Sequence, residues 1–147
     1  IADEPTTALD ASIRRQIVEL LQKIQQKSHL AFIIISHDFG IIRALCNHTL
    51  VMYAGQVVEY GNTQDVIRYP AHPYTLGLKN AIPHLTDSRE WLADIPGDPP
   101  SPATPLPGCR FAPRCPDAEP RCQEPPPLQQ QKNRQIRCWF PNEWEGK

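Results

Sequence analysis

The spacing of apolar residues predicts the first helix of the fold. After Asp10 and Ser12, either of which can cap a helix, apolar side chains recur at the spacing of one helix face. These side chains are Ile13, Ile17, Leu20, Leu21 and Ile24. We therefore predict an amphipathic helix over residues 11–27.

A continuous apolar run follows this helix. The sequence LAFIIIS, residues 30–36, is rich in β-branched side chains and is typical of a strand covered on both faces in a parallel sheet. The later predicted elements are a helix from Asp38 to about Cys46, two strands that turn at Ala54-Gly55, and short helices over residues 63–69 and 73–81. This alternation, ending in a hairpin, indicates part of an α/β domain with a mostly parallel sheet.

The prolines divide the chain into two parts. Most of the 17 prolines lie between Pro96 and Pro141. Each proline removes a backbone donor and fixes φ, so we expect loops beyond Ile95 rather than long helices or central strands. The predicted division is a partial α/β domain over residues 1–84 and a Pro/Cys-rich irregular tail over residues 85–147.

Composition and charge exclude some classes of function. The chain is 40% hydrophobic and 21% charged, which is ordinary for a globular domain. Its longest apolar run, Leu30–Ile35, is far shorter than the roughly 18 residues that a membrane span requires. A formal net charge of -1 gives no electrostatic reason to expect a nucleic-acid partner. We expect neither a membrane span nor a nucleic-acid partner.

Two carboxylates follow the apolar start of the chain, in the sequence ADEPTTALD. Asp3 and Glu4 would lie at the carboxyl edge of a parallel sheet, where open α/β folds bind their ligands. The next predicted strand ends in IIISHD, which brings His37 to the same edge. Carboxylate oxygens at this place suit Mg²⁺, and a histidine can position groups for phosphoryl transfer.

These segments resemble the ATP-binding subunits of ABC transporters. The resemblance implies that Asp3 is the Walker B aspartate that holds Mg²⁺ with ATP, and that Glu4 is the catalytic glutamate that polarises water. It further implies that TALD, ending at Asp10, is the D-loop, and that His37 is the switch histidine at the γ-phosphate. No GxxxxGK[ST] phosphate loop occurs in the 147 residues. We therefore expect the carboxyl-terminal part of an ATPase subunit that is inactive alone.

The second half of the chain narrows this resemblance. The sequences MYAGQVVEYG, HPYTLGLKNAIP and GCRFAPRCPDAEPRC are similar to the tail of ATP-binding subunits of bacterial oligopeptide and dipeptide importers and of their nickel-importing relatives. The resemblance implies an ATPase at the cytoplasmic face of the inner membrane. Its implied partners are membrane permease subunits, a second ATP-binding subunit and, indirectly, a peptide-binding protein. The HPYT segment is interpreted as a helix start with no chemistry of its own.

Four of the five cysteines lie in the proline-rich part, namely Cys109, Cys115, Cys122 and Cys138. Their spacing lacks the tight pairs usual for zinc, whereas an iron–sulfur cluster tolerates wider loops. The resemblance implies a [4Fe–4S] cluster; zinc and metal-free thiols are the alternatives. Neighbouring arginines are interpreted as solvated loop charges or as an offset to cluster charge. Cys46 is interpreted as a small buried residue.

Two other functions remain as alternatives. One is a non-enzymatic regulatory module in which the cysteine tail binds a metal or cluster and the α/β half is a scaffold. The other is a soluble ABC ATPase that acts on nucleic acid, which the charge balance disfavours. An ATP-binding subunit of a nickel importer is a further alternative, which differs from the main interpretation in its cargo.

Overall fold

The computed structural model describes residues 1–28, 30–82, 94–101 and 105–143. The boundary that the sequence predicts at residues 84 and 85 lies outside these ranges and stays a prediction. The chain forms two compact units, Ile1–Thr49 and Leu50–Lys147. Strands and helices occur in both units, so the predicted α/β class is confirmed. Among the described helices, none is both long enough and apolar enough to cross a membrane.

The first unit contains two short strands and two helices. Its elements are β1 (Ala2–Asp3), α1 (Ala11–Ser28), β2 (Ile34–Ile35) and α2 (Phe39–Leu45). The strands β1 and β2 are parallel, with Asp3 opposite Ile35. Asp38 caps α2, because its side chain accepts hydrogen bonds from the backbone N–H groups of Gly40 and Ile41. Both predicted helices of this unit are confirmed.

The strand predicted over residues 30–36 is shorter than expected. Its ladder covers Ile34–Ile35 alone, because β1 offers only two residues for pairing. The prediction that this run is covered on both faces is wrong within the described residues. Ile33 is 61% exposed and Ile35 is 51% exposed.

The larger sheet belongs mainly to the second unit. Its strands are β3 (His48–Tyr53), β4 (Gln56–Asn62), β5 (Gln129–Gln131) and β6 (Arg134–Ile136), in the order β3-β4-β6-β5. The turn after β3 has positive φ at Ala54 (46°) and Gly55 (79°), as a two-residue hairpin requires. The pairings of β6 with β4 and β5 are antiparallel, so the predicted parallel pairing occurs in the first unit.

The expectation that the chain beyond Ile95 holds only loops is wrong for its last part. The strand β6 lies between β4 and β5, with Ile136 opposite Glu59. Residues 128–140 contain no proline, so their backbone N–H groups can join the sheet. The more proline-rich stretch before them forms two short 3₁₀ turns, Ala112–Arg114 and Pro120–Gln123.

Two helices and one aromatic side chain complete the core of the second unit. The helices are α3 (Thr63–Arg68) and α4 (Pro73–Asn80), close to the predicted ranges. Phe111 of the proline-rich part is 2% exposed and packs against the hydrophobic cluster of Val51, Tyr53, Val58 and Val66. Its ring centroid lies 5.2 Å from that of Tyr53 and 5.3 Å from that of Tyr74. The tail is thus joined to the sheet by burial as well as by strand pairing.

Candidate functional site

The carboxyl ends of β1 and β2 bring Glu4 and His37 together. The Glu4 backbone N–H donates to the carbonyl of Ile35 at 2.9 Å, which extends the parallel pairing beyond the strands. The Nδ1 atom of His37 lies 2.8 Å from Oε1 of Glu4. The juxtaposition predicted for these two residues is therefore present. Asp3 precedes them at the same edge and is exposed.

Glu4 is held by two side chains in an unusual backbone conformation. Its φ of 46° lies in the left-handed region that non-glycine residues seldom adopt, and such strain costs on the order of 1 kcal/mol. The hydroxyl of Thr7 donates to Oε2 of Glu4 at 2.6 Å. The hydrogen bonds from Thr7 and, secondly, His37 lower the pKa of Glu4. The carboxylate is therefore ionised at neutral pH and suited to orienting a water molecule.

Asp10 begins α1. Its Oδ1 atom accepts hydrogen bonds from the backbone N–H groups of Ser12 at 2.9 Å and Ile13 at 3.0 Å, so Asp10 rather than Ser12 caps the helix. These bonds lower the pKa of Asp10, with Ile13 the largest contributor. At the same end of α1, Arg14 forms an ion pair at 3.3 Å with Asp38, the cap of α2. The loop from Glu4 to Asp10 is thus anchored at both ends.

A second candidate site lies in the second unit, where four cysteines converge. Cys109, Cys115, Cys122 and Cys138 line one recess together with apolar and aromatic neighbours that include His72 and Phe111. No disulfide links them, and Cys46 lies in the first unit at the end of α2. The cavity that they line is small, with a volume of about 10 Å³.

The cysteine recess favours neutral thiols. Burial raises the pKa of Cys109 and Cys115, and raises that of Cys138 to about 11. The other three thiols add to the rise for Cys138, because like charges in one recess oppose ionisation. Across the described ranges, no three His, Cys, Asp or Glu side chains are grouped closely enough to hold a single metal ion.

The arginines near the cysteines are more than solvated charges. Arg114 donates to the carbonyls of Pro96 at 2.8 Å and Ile95 at 3.0 Å. The guanidinium of Arg121 lies 3.9 Å from the ring centroid of Trp139. Arg110 and Arg137 likewise donate to backbone carbonyls, those of Ala54 and Val57 respectively. These side chains connect neighbouring loops, which lack the regular hydrogen bonds of a helix or sheet.

The sequence reasoning missed a buried ion pair beneath these loops. Glu59 of β4 is 0% exposed and accepts hydrogen bonds from the backbone N–H groups of Ala71 and His72, each at 3.0 Å. Arg134 of β6 is 1% exposed, and its Nη1 lies 3.2 Å from Glu59 Oε1. It also donates to the carbonyl of Tyr69. The available signal was a glutamate inside the apolar strand VVEYG.

Comparison with known proteins finds relatives over most of the chain. Residues 58–122 match the family described as oligopeptide/dipeptide transporter, C-terminal region. The chain is 44% identical to the oligopeptide transport ATP-binding protein OppD of Escherichia coli K12, over 95% of this chain and 42% of that protein. Against OppD of Haemophilus influenzae it is 43% identical over 95% of this chain and 44% of that protein.

A third relative is the dipeptide transport ATP-binding protein DppD of Escherichia coli K12. The chain is 42% identical to it, over 100% of this chain and 46% of that protein. The chain thus spans less than half the length of the curated relatives it matches. It is homologous to the carboxyl-terminal part of ABC ATPases. Within that class, the resemblance to the ATP-binding subunits of peptide importers is confirmed.

Proposed function

We propose that this chain belongs to an ATP-hydrolysing subunit of a peptide-importing ABC transporter. The observation that carries the proposal is the 2.8 Å contact between Glu4 and His37 at the carboxyl edge of β1 and β2. In this proposal Asp3 holds the hydration shell of Mg²⁺ on the nucleotide, since Mg²⁺ prefers oxygen ligands and retains water. ATP is the substrate, and its binding also requires a phosphate loop outside these residues.

The roles of Glu4 and His37 depend on which side chain accepts and which donates the hydrogen bond between them. An ionised glutamate accepts a hydrogen bond from the attacking water and orients it, which is the main task in phosphoryl transfer. His37 donates Nδ1–H to Glu4, since the carboxylate can only accept. A hydrogen bond from Nε2 to a γ-phosphate oxygen, which is also an acceptor, requires a second proton on the ring. Asp10 fixes the loop that would reach the site of a second subunit.

The proposed setting is supported by the names of the relatives, which are ATP-binding proteins of peptide transport. Two ATP-binding subunits would close on ATP against membrane permease subunits at the cytoplasmic face of the inner membrane, with a peptide-binding protein delivering cargo. The names of OppD and DppD support peptide as the cargo. A nickel importer has no comparable support among these names.

The test is a pair of isosteric substitutions in the complete subunit. With Glu4→Gln, ATP hydrolysis should fall at least about 100-fold while ATP still binds, because the amide retains shape but loses the charge that orients water. Asp3→Asn should instead weaken Mg²⁺-dependent nucleotide binding. Measurements of kcat and of nucleotide Kd separate the two effects. Equal loss of binding in both variants, with no selective loss of turnover, would contradict the division of roles.

We further infer that the cysteine recess holds an iron–sulfur cluster. Four thiols without disulfide bonds, from separate loops, line one recess, which supports this inference. They would have to move closer together to share one centre. Cys109, Cys115, Cys122 and Cys138 would each supply one thiolate, and their protons would be released on binding. When bound, the cluster would cross-link the loops that carry the four cysteines. The alternative function, a non-enzymatic regulatory module, would depend on the same cluster.

Iron analysis of anaerobically purified protein tests the cluster. Replacing any one of the four cysteines by Ser should remove most of the iron, and a second replacement should add little, because ligands of one centre act together. Cys46→Ala is the control and should leave the metal content unchanged. Stoichiometric zinc without iron would identify a structural zinc site instead, and a protease-resistant tail without any metal would exclude both.

A further inference from the structure

Cys109 and Cys122 lie on two backbone segments that are in direct contact. The backbone N–H of Cys109 donates to the carbonyl of Cys122 at 2.9 Å. Standard bond lengths and hydrogen-bond geometry then limit the separation of their Cα atoms to about 6 Å. Disulfides in proteins usually join Cα atoms that are about 4.4–6.8 Å apart. The backbone therefore already has the spacing that a bond between these two cysteines requires.

Gly108 allows this close approach. A Cβ atom at position 108 would lie 2.5 Å from the carbonyl oxygen of Cys122 and 2.6 Å from backbone atoms of Gln123. Both distances are far shorter than van der Waals contact, so a residue with a side chain would push the two segments apart. The absence of a side chain at position 108 thus brings Cys109 next to Cys122.

The side chains of these two cysteines face the same space. Both line the cysteine recess, where Cys122 is buried and Cys109 is half-buried and more accessible to a small molecule. The other two cysteines of the recess have different backbone partners. The N–H of Cys115 donates within its own 3₁₀ turn, and the carbonyl of Cys138 accepts from a side chain of β5. The geometry therefore favours the pairing of Cys109 with Cys122.

We propose that Cys109 and Cys122 form a reversible disulfide when the recess holds no metal and a low-molecular-weight disulfide is the oxidant. The thiolate of Cys109 attacks one sulfur of the oxidant, which gives a mixed disulfide and releases the first small thiolate. The thiolate of Cys122 then attacks Sγ of Cys109, which forms the Sγ–Sγ bond and releases the second small thiolate. The two protein sulfurs lose two electrons in all, and the oxidant is reduced to two thiols, which take up the two cysteine protons.

The bond would close a loop of 14 residues that contains the anchoring side chain Phe111. Such a cross-link restricts the unfolded chain and makes local opening of the loop rarer. The proposed cluster would use the same two sulfurs, so the disulfide and the cluster exclude one another. The disulfide does not depend on the existence of the cluster. In a reducing compartment the bond would form only under oxidation and would be transient.

The experiment uses the complete subunit, reduced and freed of metal with a chelator, and then exposed to oxidised glutathione under anaerobic conditions. Mass spectrometry of unreduced peptides identifies the linked pair, and thiol counts give the rate. Cys109→Ser and Cys122→Ser should abolish the bond. Cys115→Ser and Cys138→Ser are the matched controls from the same recess and should form it within about twofold of the unmodified rate. Gly108→Ala keeps every thiol and should slow the bond at least about 10-fold.

The unmodified protein should lose two thiols and regain both on treatment with dithiothreitol. The rate should rise with pH, because burial raises the pKa of Cys109 and only the thiolate attacks. A different linked pair, or a mixed disulfide on Cys109 that never reaches Cys122, would overturn the proposal, as would an unchanged rate in Gly108→Ala. The linked pair in the unmodified protein decides the proposal even if Gly108→Ala does not fold. Iron measured before chelation reports on the proposed cluster separately.

Discussion

The buried pair of Glu59 and Arg134 should couple the loop before α4 to the sheet. Glu59→Gln keeps the side-chain volume but replaces one carboxylate oxygen by an amide nitrogen that cannot accept hydrogen bonds. Arg134 then loses the Glu59 carboxylate, although Asp65 also favours its charged form, and one of the N–H groups of Ala71 and His72 loses an acceptor. Removing one partner of a buried pair costs about 3–5 kcal/mol. This is a large part of the roughly 5–15 kcal/mol that stabilises a typical domain.

A double-mutant cycle isolates the interaction. Arg134→Met should also cost about 3 kcal/mol, because it leaves a buried carboxylate. The double variant should cost less than the sum of the two by about 2 kcal/mol or more. The free energies come from urea unfolding followed by near-UV circular dichroism, and amide exchange at Ala71 reports on the local contact.

An exposed pair in the first unit is the control for this cycle. Arg15 and Glu19 lie 3.8 Å apart on α1, with side chains 78% and 54% exposed. Their cycle of Arg15→Met and Glu19→Gln should give no more than about 0.5 kcal/mol. If the coupling of Glu59 with Arg134 were as small as this, the buried pair would not be the link between the loop and the sheet.

Two further predictions concern pH and nucleotide. Burial lowers the pKa of the His72 imidazole to about 4, below the 6.5 expected in the unfolded chain. The stabilisation from the neutral imidazole is therefore complete above pH 6.5 and is lost as the pH falls toward 4. Between pH 7 and 4.5 this loss amounts to about 2–3 kcal/mol, by which the stability of the unmodified protein in urea unfolding should fall further than that of His72→Asn. Parallel pH profiles of the two proteins would contradict this prediction. The 147-residue chain alone should not turn over ATP, since it contains no phosphate loop. Mg²⁺-dependent hydrolysis that disappears with Glu4→Gln would refute this expectation.

Local patterns in the sequence were sufficient for most helices and for the hairpin. The helix over residues 11–27 is observed as Ala11–Ser28, and the turn at Ala54-Gly55 is present. These features depend on contacts between neighbouring residues, which spacing and capping reveal. The full length of β2 and the position of β6 depend on pairing partners far along the chain. A three-residue strand such as Arg134–Ile136 is too short to show periodicity.

The candidate sites were predictable to different degrees. The contact of Glu4 with His37 was predicted because residues at the carboxyl ends of neighbouring parallel strands share one edge. Convergence of the four cysteines was expected from their residue type, while their role as ligands stays a prediction. Glu59 within the apolar segment VVEYG indicated a buried charge, but its partner could not be predicted, because Arg134 is 75 residues away and resembles an ordinary surface charge.

The pairing of β4 with β6 sets an order for synthesis and folding. The hairpin of β3 and β4 leaves the ribosome early, but β6 follows only about 75 residues after Glu59. At about 5–20 residues per second, this interval is roughly 4–15 seconds. During this time the inner edge of β4 has no strand beside it and Glu59 has no arginine, so the nascent chain carries an open sheet edge that can pair with other chains. Folding of the sheet is therefore completed only after β6 has been synthesised.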